Sequence, residues 1–374
     1  MLKKRIVSLL IAAAAGALMF LGINLISSPA MAEGSIREGL LYEATGVCPD
    51  TDVLRLEDNS ASADLYAFWL GSTCSQLDQL LRQYTGEGLD LSGTLPSGTS
   101  VLDYVKGDAI RTVTQQLVLE NMAKKYGVAL TEENRNALAR QHEQYVEALG
   151  SEEAYRAELN KLGLREETYE RILSSDYLYT GLYDLFSTPG SSLAPTEDDL
   201  VALAAEEGFI SADHILIMTV DPATGQPLDD ETVAQKRATA EDLLAQLRAS
   251  DDPVTLFSAL ADEYSEDTGR AANPDGYTFN ENSGFVTEFT DAAYALAEGE
   301  ISDIVESMYG YHILLRKPLD RTDAVQIAQP DYFDHYFMGA VDEAKVVTSD
   351  ALEKIDVSAL YAALTAAQSA QQTD

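Results

Sequence analysis

The chain has 374 residues, of which 46% are hydrophobic, so it is long enough for two or three domains with cores of their own. Lys and Arg number 25 against 62 Asp and Glu, which gives a net charge of -37 at pH 7. The acidic residues are spread along the whole chain and would repel nucleic acid and anionic lipid. This charge excludes nucleic acid as a partner and predicts a highly soluble surface.

The first 32 residues predict export from the cytoplasm. A basic stretch at residues 3–5 precedes an uncharged stretch at 6–32, which ends in the small-x-small pattern Ala30-Met31-Ala32. Cleavage after Ala32 would release the protein. The apolar run at 6–26, however, is long enough to span a bilayer as an uncleaved anchor. Both alternatives place the body outside the cytoplasm, either secreted or anchored to the outer face of the cytoplasmic membrane.

Residues 33–195 are predicted to form a mainly helical N-terminal domain. Between 103 and 186, apolar side chains recur at helical spacing and glycines mark the turns between helices. Residues 33–100 are poorly periodic, except for one predicted helix at 65–84. A linker rich in Pro, Gly and Ser at 189–195 then predicts the end of this domain.

Cys48 and Cys74 are the two cysteines of the chain. Outside the cytoplasm they could form a disulfide, or they could remain two unrelated thiols. Their spacing is not C-x-x-C, so a redox-active role is not expected.

Residues 207–320 alternate strand and helix in the order β-α-α-loop-β-α-β-β. The first predicted strand contains Asp213-His214-Ile215-Leu216, and the last contains the closely similar Tyr311-His312-Ile313-Leu314. The chain has only four His, and two of them occupy these matching positions. If the two strands lie side by side, both imidazoles share one core. The other two, His142 and His335, are interpreted as ordinary helix residues.

Five tracts of this module follow one family pattern. They are Ala212-Asp213-His214-Ile215-Leu216, Leu260-Ala261-Asp262-Glu263-Tyr264-Ser265-Glu266-Asp267, Glu288-Phe289-Thr290-Asp291-Ala292-Ala293-Tyr294-Ala295-Leu296, Gly299-Glu300-Ile301-Ser302 and Tyr309-Gly310-Tyr311-His312-Ile313-Leu314. Together they resemble the parvulin family of peptidyl-prolyl isomerases. The helical part at 103–186 is similar to the chaperone region of extracytoplasmic foldases of the SurA and PrsA type.

The resemblance implies an α+β fold. Its helical, chaperone-like domain would combine the N-terminal helices with a C-terminal helical segment at 321–374 that packs on them. The parvulin domain at 207–320 would be inserted between these two parts. It would contain a four-stranded antiparallel sheet surrounded by about four helices, as the order of predicted elements suggests.

The resemblance also implies the site. His214 and His312 match the paired His that hydrogen-bond across a parvulin site, Asp267 stands where the family has Cys or Asp, and Ser307 matches a Ser/Thr position of the same network. One alternative is a purely structural His pair. Another is a metal site, but no third ligand follows at a suitable spacing, so no metal and no cofactor are expected.

Phe285 and Phe289 fall at the family's two apolar positions that receive the proline ring, and Tyr277 is predicted beside them as a substrate-binding residue. The alternative is that the two Phe are plain core aromatics. The sequence departs from the family at 273–279, where the usual Gly-Gly-Asp-Leu-Gly tract is missing. This departure affects the outer wall of the proline pocket.

These features predict an exported peptidyl-prolyl cis-trans isomerase that assists the folding of secreted proteins. Its partners would be unfolded or partly folded polypeptides with X-Pro bonds, and catalysis would be non-covalent. The alternative is a catalytically weak holdase chaperone that binds extended, proline-containing clients. The loop at 220–230 contains no Lys or Arg. The sequence therefore predicts no preference for phosphorylated substrates.

Overall fold

The computed structural model describes residues 36–371, so the predicted signal or anchor lies outside the described residues. The chain forms two compact units. One contains the chain up to Ser191 and again from Phe333 onward, and the other runs from Ser192 to Tyr332. Within 36–371, no helix is both long enough and apolar enough to cross a membrane.

From residue 36 onward, the first part of this unit contains a short helix and a β-hairpin, followed by five helices. These elements are α1 (Leu40–Thr45), β1 (Asp52–Leu56), β2 (Asn59–Ser62), α2 (Ala63–Thr85), α3 (Val101–Tyr126), α4 (Glu132–Leu149), α5 (Glu152–Lys161) and α6 (Glu166–Ser187). Gly127 and Gly150 end α3 and α4 with φ of 72° and 91°. Only Gly adopts these left-handed angles without steric cost, which is why the helices stop there.

The second unit follows the predicted order of elements. They are α7 (Glu197–Glu206), β3 (Ile210–Met218), α8 (Asp230–Ala249), α9 (Pro253–Tyr264), β4 (Tyr277–Phe279), α10 (Thr287–Ala295), β5 (Val305–Ser307), β6 (Gly310–Lys317) and α11 (Arg321–Ala328). The four strands form one antiparallel sheet in the order β4-β3-β6-β5. The α+β class and the four-stranded antiparallel sheet are confirmed.

Helices cover both faces of this sheet, so β3 is buried along almost its whole length. Successive side chains of a strand point to opposite faces. Ile215 and Ile217 therefore pack with α8 and α9 on one face. Ala212 packs on the other face with Phe279 and Phe289. His214 belongs to this second face, because it lies two residues after Ala212.

The second unit ends later than predicted. It extends to Tyr332, whereas the C-terminal segment was predicted to begin at residue 321. Helix α11 packs on α7 through Leu200, Leu203, Ala324 and Ala328, all of which are buried. The structure therefore places α11 with the sheet, and the chain returns to the first unit only at Phe333.

The chain then continues through α12 (Tyr332–Glu343), β7 (Val347–Thr348), a 3₁₀ turn (Leu352–Lys354) and α13 (Val357–Gln371). Strand β7 pairs antiparallel with β1 to make a three-stranded sheet in the order β2-β1-β7. The C-terminal segment was predicted to be helical, and β7 is an exception to that prediction. Strands of two to five residues carry too little periodicity to be seen in a sequence, and Leu54 pairs with the distant Thr348.

Cys48 and Cys74 are separate thiols in the structure. Burial raises the pKa of the Cys74 thiol to about 12. At neutral pH this side chain is therefore a small core residue and not a nucleophile.

Candidate active site

The register of the two central strands brings the two histidines together. His214 lies opposite Leu314, and Leu216 lies opposite His312. Opposed residues of an antiparallel pair share one face, so the two imidazoles are diagonal neighbours on the same side of the sheet. Their Nδ1 atoms are 3.2 Å apart. Both side chains are buried, with residue exposures of 6% and 3%.

A continuous chain of hydrogen bonds passes through this pair. Ser307 Oγ is 2.7 Å from His312 Nε2, and His214 Nε2 is 3.0 Å from Asp267 Oδ2. The Tyr277 hydroxyl donates to the same Asp267 oxygen at 2.5 Å. The four residues predicted as catalytic thus lie in one network, and the structure adds Tyr277 to it.

The direction of these hydrogen bonds follows from their ends. An ionised carboxylate only accepts, so His214 Nε2–H donates to Asp267 and His214 Nδ1 is left as an acceptor. His312 must then donate from Nδ1, which leaves its Nε2 to accept from the Ser307 hydroxyl. Both rings are neutral in this arrangement. All four ring nitrogens are used within the network.

The pKa values of the network agree with this assignment. Burial, followed by the neighbouring His214, lowers the pKa of His312 to about 4. Hydrogen bonds from His214 and Tyr277 hold the pKa of Asp267 well below its usual range, against the opposing effect of burial. The site therefore presents the negative charge of Asp267 and the neutral imidazole of His312 at neutral pH.

An aromatic cluster lies against the histidines. Phe289 is 1% exposed, and its ring centroid is 5.1 Å from that of His214 and 5.1 Å from that of Phe285. The Phe285 ring stacks on Phe289 at an interplanar angle of 16° and is half-buried. Phe279 of β4 completes the cluster. Phe285 is thus the more accessible of the two predicted proline-pocket rings.

The loop that carries Asp267 is hydrogen-bonded to β3, at a part of that strand that does not pair with β4. Leu216 donates its N–H to Ser265 Oγ at 3.1 Å, and Glu266 N–H donates to Leu216 O at 2.8 Å. Gly276, at φ 94°, passes so close to β3 that a Cβ there would lie 2.5 Å from the Ala212 carbonyl oxygen. The loop therefore holds the Asp267 carboxylate at a fixed distance from His214.

A buried ion pair that the sequence analysis missed also anchors this loop. Arg270 Nη1 is 2.8 Å from Asp213 Oδ1, with side-chain exposures of 12% and 3%. Asp213 Oδ1 also accepts the His214 backbone N–H at 2.7 Å. In the sequence Asp213 is simply the residue before His214, and no signal joins it to a residue in a distant loop.

We expect the second unit to lose stability as the pH falls from about 6.5 to about 4. An unfolded His takes up its proton near pH 6.5, whereas His312 in the folded state has a pKa of about 4. Between these values the unfolded chain binds more protons, so the free energy of unfolding falls with pH, by on the order of 3 kcal/mol in total. Urea unfolding followed through the β3 amide signals at several pH values measures this loss.

The matched variant for this experiment is His312→Gln, which keeps a polar side chain without the titration. Its free energy of unfolding should change less steeply with pH over the same range, because unfolding of the variant takes up about one proton fewer. Identical slopes for the two proteins would contradict the assignment. The low pKa of Asp267 acts at more acidic pH: its contribution is present above about 4 and is lost as the pH falls toward its depressed value.

The sheet order, the His pair and the adjoining aromatic cluster define a class of protein. Residues 214–317 match the family model described as Rotamase, the PPIC-type PPIASE domain. This part of the chain is a parvulin-type peptidyl-prolyl isomerase domain.

Over part of its length the chain is similar to foldases of the PrsA and SurA type. It is 28% identical over 203 residues to Foldase protein PrsA of Halalkalibacterium halodurans, covering 54% of this chain and 54% of that protein. It is 34% identical over 90 residues to Chaperone SurA of Shewanella frigidimarina, covering 24% of this chain and 20% of that one. The chain thus spans about half the length of the first PrsA relative.

Solved structures of PrsA are also similar. The crystal structure of PrsA from Bacillus subtilis aligns with 71% of this chain and 91% of its own, with a TM-score of 0.25 and 21% identity. PrsA from Bacillus cereus aligns with 75% of this chain and 98% of its own, with a TM-score of 0.25 and 21% identity.

Proposed function

We propose that this chain is an exported foldase whose parvulin domain catalyses cis-trans isomerisation of X-Pro bonds in unfolded or partly folded secreted polypeptides. The hydrogen-bonded chain from Ser307 through both histidines to Asp267, set beside an aromatic cluster, is the observation that carries this proposal. The surface charge favours protein clients over nucleic acid. His214, Asp267, Ser307 and His312 are the proposed catalytic residues.

The reaction requires no proton transfer and no covalent intermediate. An X-Pro bond resists rotation, with a barrier of roughly 18–20 kcal/mol, because its C–N bond has partial double-bond character. That character comes from a resonance form with negative charge on the carbonyl oxygen and positive charge on nitrogen. An apolar environment disfavours this charge-separated form, and so does a negative charge close to the carbonyl oxygen. Both lower the barrier to rotation.

The proposed site supplies both effects. The Asp267 carboxylate stays ionised and is fixed by the hydrogen bonds it accepts from His214 and Tyr277. Phe285 offers an aromatic face for the proline ring, and the Phe289 ring stacks against the Phe285 ring. Because the network is already formed before substrate arrives, little reorganisation is needed as the amide twists.

Tyr277 has a different role in this proposal from the predicted direct contact with substrate. Its hydroxyl donates to Asp267, and burial together with that carboxylate raises the pKa of the phenol. Tyr277 therefore acts as a positioning residue for the carboxylate, while the edge of its ring packs on Phe285.

A holdase is the second candidate, and one feature of the site favours it. Phe289 is almost completely covered, and the ring that covers it is the protein's own Phe285. The 273–279 tract also lacks the family's usual Leu. In this alternative the domain binds extended, proline-containing segments through Phe285 but turns them over slowly.

A protease-coupled tetrapeptide assay separates the two candidates. We expect His214→Ala and Asp267→Ala each to lower kcat/KM by about 100-fold, the usual loss when one preorganised electrostatic group is removed from a site. His335→Ala, which changes an exposed His on α12, is the matched control and should retain activity. If the unmodified protein shows no isomerase activity but still suppresses aggregation of a client, the holdase is correct.

We also expect no gain from phosphorylation of the substrate. Asp221 Oδ1 in the loop after β3 accepts the backbone N–H groups of Ala223 and Thr224, so a carboxylate occupies the position where a phosphate would need cations. Residues 207–320 contain six Lys and Arg against 23 Asp and Glu. Peptides with phosphoserine before proline should show kcat/KM no higher than matched Glu-Pro peptides. A gain of more than about tenfold would contradict this electrostatic argument.

The proposed location is outside the cytoplasm, either released or held at the outer face of the cytoplasmic membrane. The basic start and the apolar run of the first 32 residues support this proposal. N-terminal sequencing of the exported protein distinguishes the two forms. A new terminus at Glu33 indicates cleavage, and an intact terminus in the membrane fraction indicates an anchor.

A further inference from the structure

A second cluster of titratable side chains lies in the first unit, away from the isomerase domain. His142 comes from α4, Glu152 from the first turn of α5 and Glu166 from the first turn of α6. His142 Nε2 is 3.4 Å from Glu152 Oε2 and 3.8 Å from Glu166 Oε1. One ligand atom from each residue lies within 4.8 Å of the other two. Three helices thus bring one nitrogen and two oxygens to one point.

Two polar atoms at this point are buried without a hydrogen bond. His142 Nε2 is shielded from solvent, although its ring is partly exposed. The hydroxyl of Tyr169, a residue that is 3% exposed, also has no hydrogen bond of normal geometry, and burial together with the neighbouring Tyr145 raises its pKa. Tyr145 and Tyr169 line one cavity of about 290 Å³ with His142 and Glu166. Buried polar groups usually have partners, and a cation beside His142 Nε2 would give that nitrogen one.

We propose that His142, Glu152 and Glu166 bind a single divalent cation, and that Zn²⁺ is the ion they suit best. Zn²⁺ takes imidazole nitrogen and carboxylate oxygen together, whereas Ca²⁺ takes oxygen alone. In a tetrahedral site with bonds of about 2.0–2.1 Å, neighbouring ligand atoms are ~3.3–3.4 Å apart. The observed separations of 3.4 and 3.8 Å are close to this spacing. A water can complete the four ligands.

The surroundings keep the carboxylates available. Both Glu lie in first turns of helices, where the positive end of the helix dipole attracts negative charge. Arg156 Nε is 3.2 Å from Glu166 Oε2, which leaves Oε1 to face His142. The alternative is that His142 pairs directly with the two carboxylates. Added metal would then not bind here.

A bound cation would add a link between α4, α5 and α6, beside the existing contacts of Arg156 with Glu166 and of His142 with Tyr155. A ligand that binds the folded state alone stabilises it in proportion to the logarithm of its free concentration over its Kd. Zn²⁺ should therefore raise the thermal midpoint of the first unit in a concentration-dependent way.

Calorimetric titration of the full chain with ZnCl₂ at neutral pH tests the site, together with thermal unfolding at rising Zn²⁺. His142→Gln and Glu152→Gln should each remove one binding event, or weaken its Kd by about 10-fold or more, since even changes outside the ligand shell cost that much. They should also abolish the Zn²⁺-dependent rise of the thermal midpoint. His335→Gln and Glu153→Gln are the matched controls, and both should bind Zn²⁺ like the unmodified protein.

Zn²⁺ bound by the histidines of the isomerase domain would be unaffected by His142→Gln. A binding event that this variant removes therefore belongs to the proposed site in the first unit. Glu152→Gln preserves the shape of an exposed side chain, so loss of binding in both variants is not a folding defect. The Kd for Ca²⁺ should be the same for the unmodified protein and for His142→Gln. If Zn²⁺ binds all four variants with the same stoichiometry, Kd and thermal shift, the proposal is wrong.

Discussion

Replacing Phe289 with Ala is expected to lower the free energy of unfolding of the second unit by about 3–5 kcal/mol. The ring is 1% exposed and has aromatic neighbours on several sides, with centroid distances of 5.1 Å to His214, 5.4 Å to Phe279 and 5.7 Å to His312. Its removal leaves a cavity beneath both imidazoles, which the surrounding sheet cannot close. Urea unfolding at neutral pH, followed through the β3 amide signals, measures the loss.

Two further variants separate stability from function at this position. Phe289→Leu retains most of the buried volume and should cost less stability while changing the surface that supports Phe285. Phe285→Ala removes a half-buried ring and should cost clearly less stability than Phe289→Ala, but it should reduce substrate binding more. If Phe289→Ala costs under about 1 kcal/mol, well below the usual range for a buried Phe, the ring does not support the site.

Replacing Arg270 with Leu is expected to cost about 3–5 kcal/mol, because it leaves the Asp213 carboxylate buried without a counter-charge. Burial already raises the pKa of Asp213, and Arg270 opposes that rise. Arg270 also fastens the loop that carries Asp267, only three residues earlier in the chain. We therefore expect this variant to lose isomerase activity as well as stability.

The second partner of Arg270 provides the control. Asp262 is 2.7 Å from Arg270 Nη2 but is 71% exposed, so Asp262→Asn should change stability by under about 1 kcal/mol. The double variant Asp213→Asn with Arg270→Leu removes the buried charge as well as its partner and should recover part of the lost stability. Equal losses of stability in Arg270→Leu and Asp262→Asn would show that the buried ion pair of Arg270 with Asp213 does not stabilise the domain.

The architecture of the isomerase domain could be predicted because its signals are local. The run from Ile210 to Met218 ends in four consecutive apolar residues, and the helices that follow show clear 3.6-residue periodicity. The repeated His tract then suggested which two strands are neighbours. The first unit was less predictable: β1, β2 and β7 are short, and the last pairs with a strand near the opposite end of the chain.

The sequence by itself determined the order of elements in the second unit, the identity of the His pair and the acidic surface, since each is encoded in neighbouring residues or in composition. Tertiary structure decided that Phe285 covers Phe289, that the Tyr277 hydroxyl reaches Asp267, and that Asp213 pairs with Arg270, 57 residues away. It also brought His142 to Glu152 and Glu166. These contacts depend on how loops and helices pack over a distance, and no local pattern of residues records that packing.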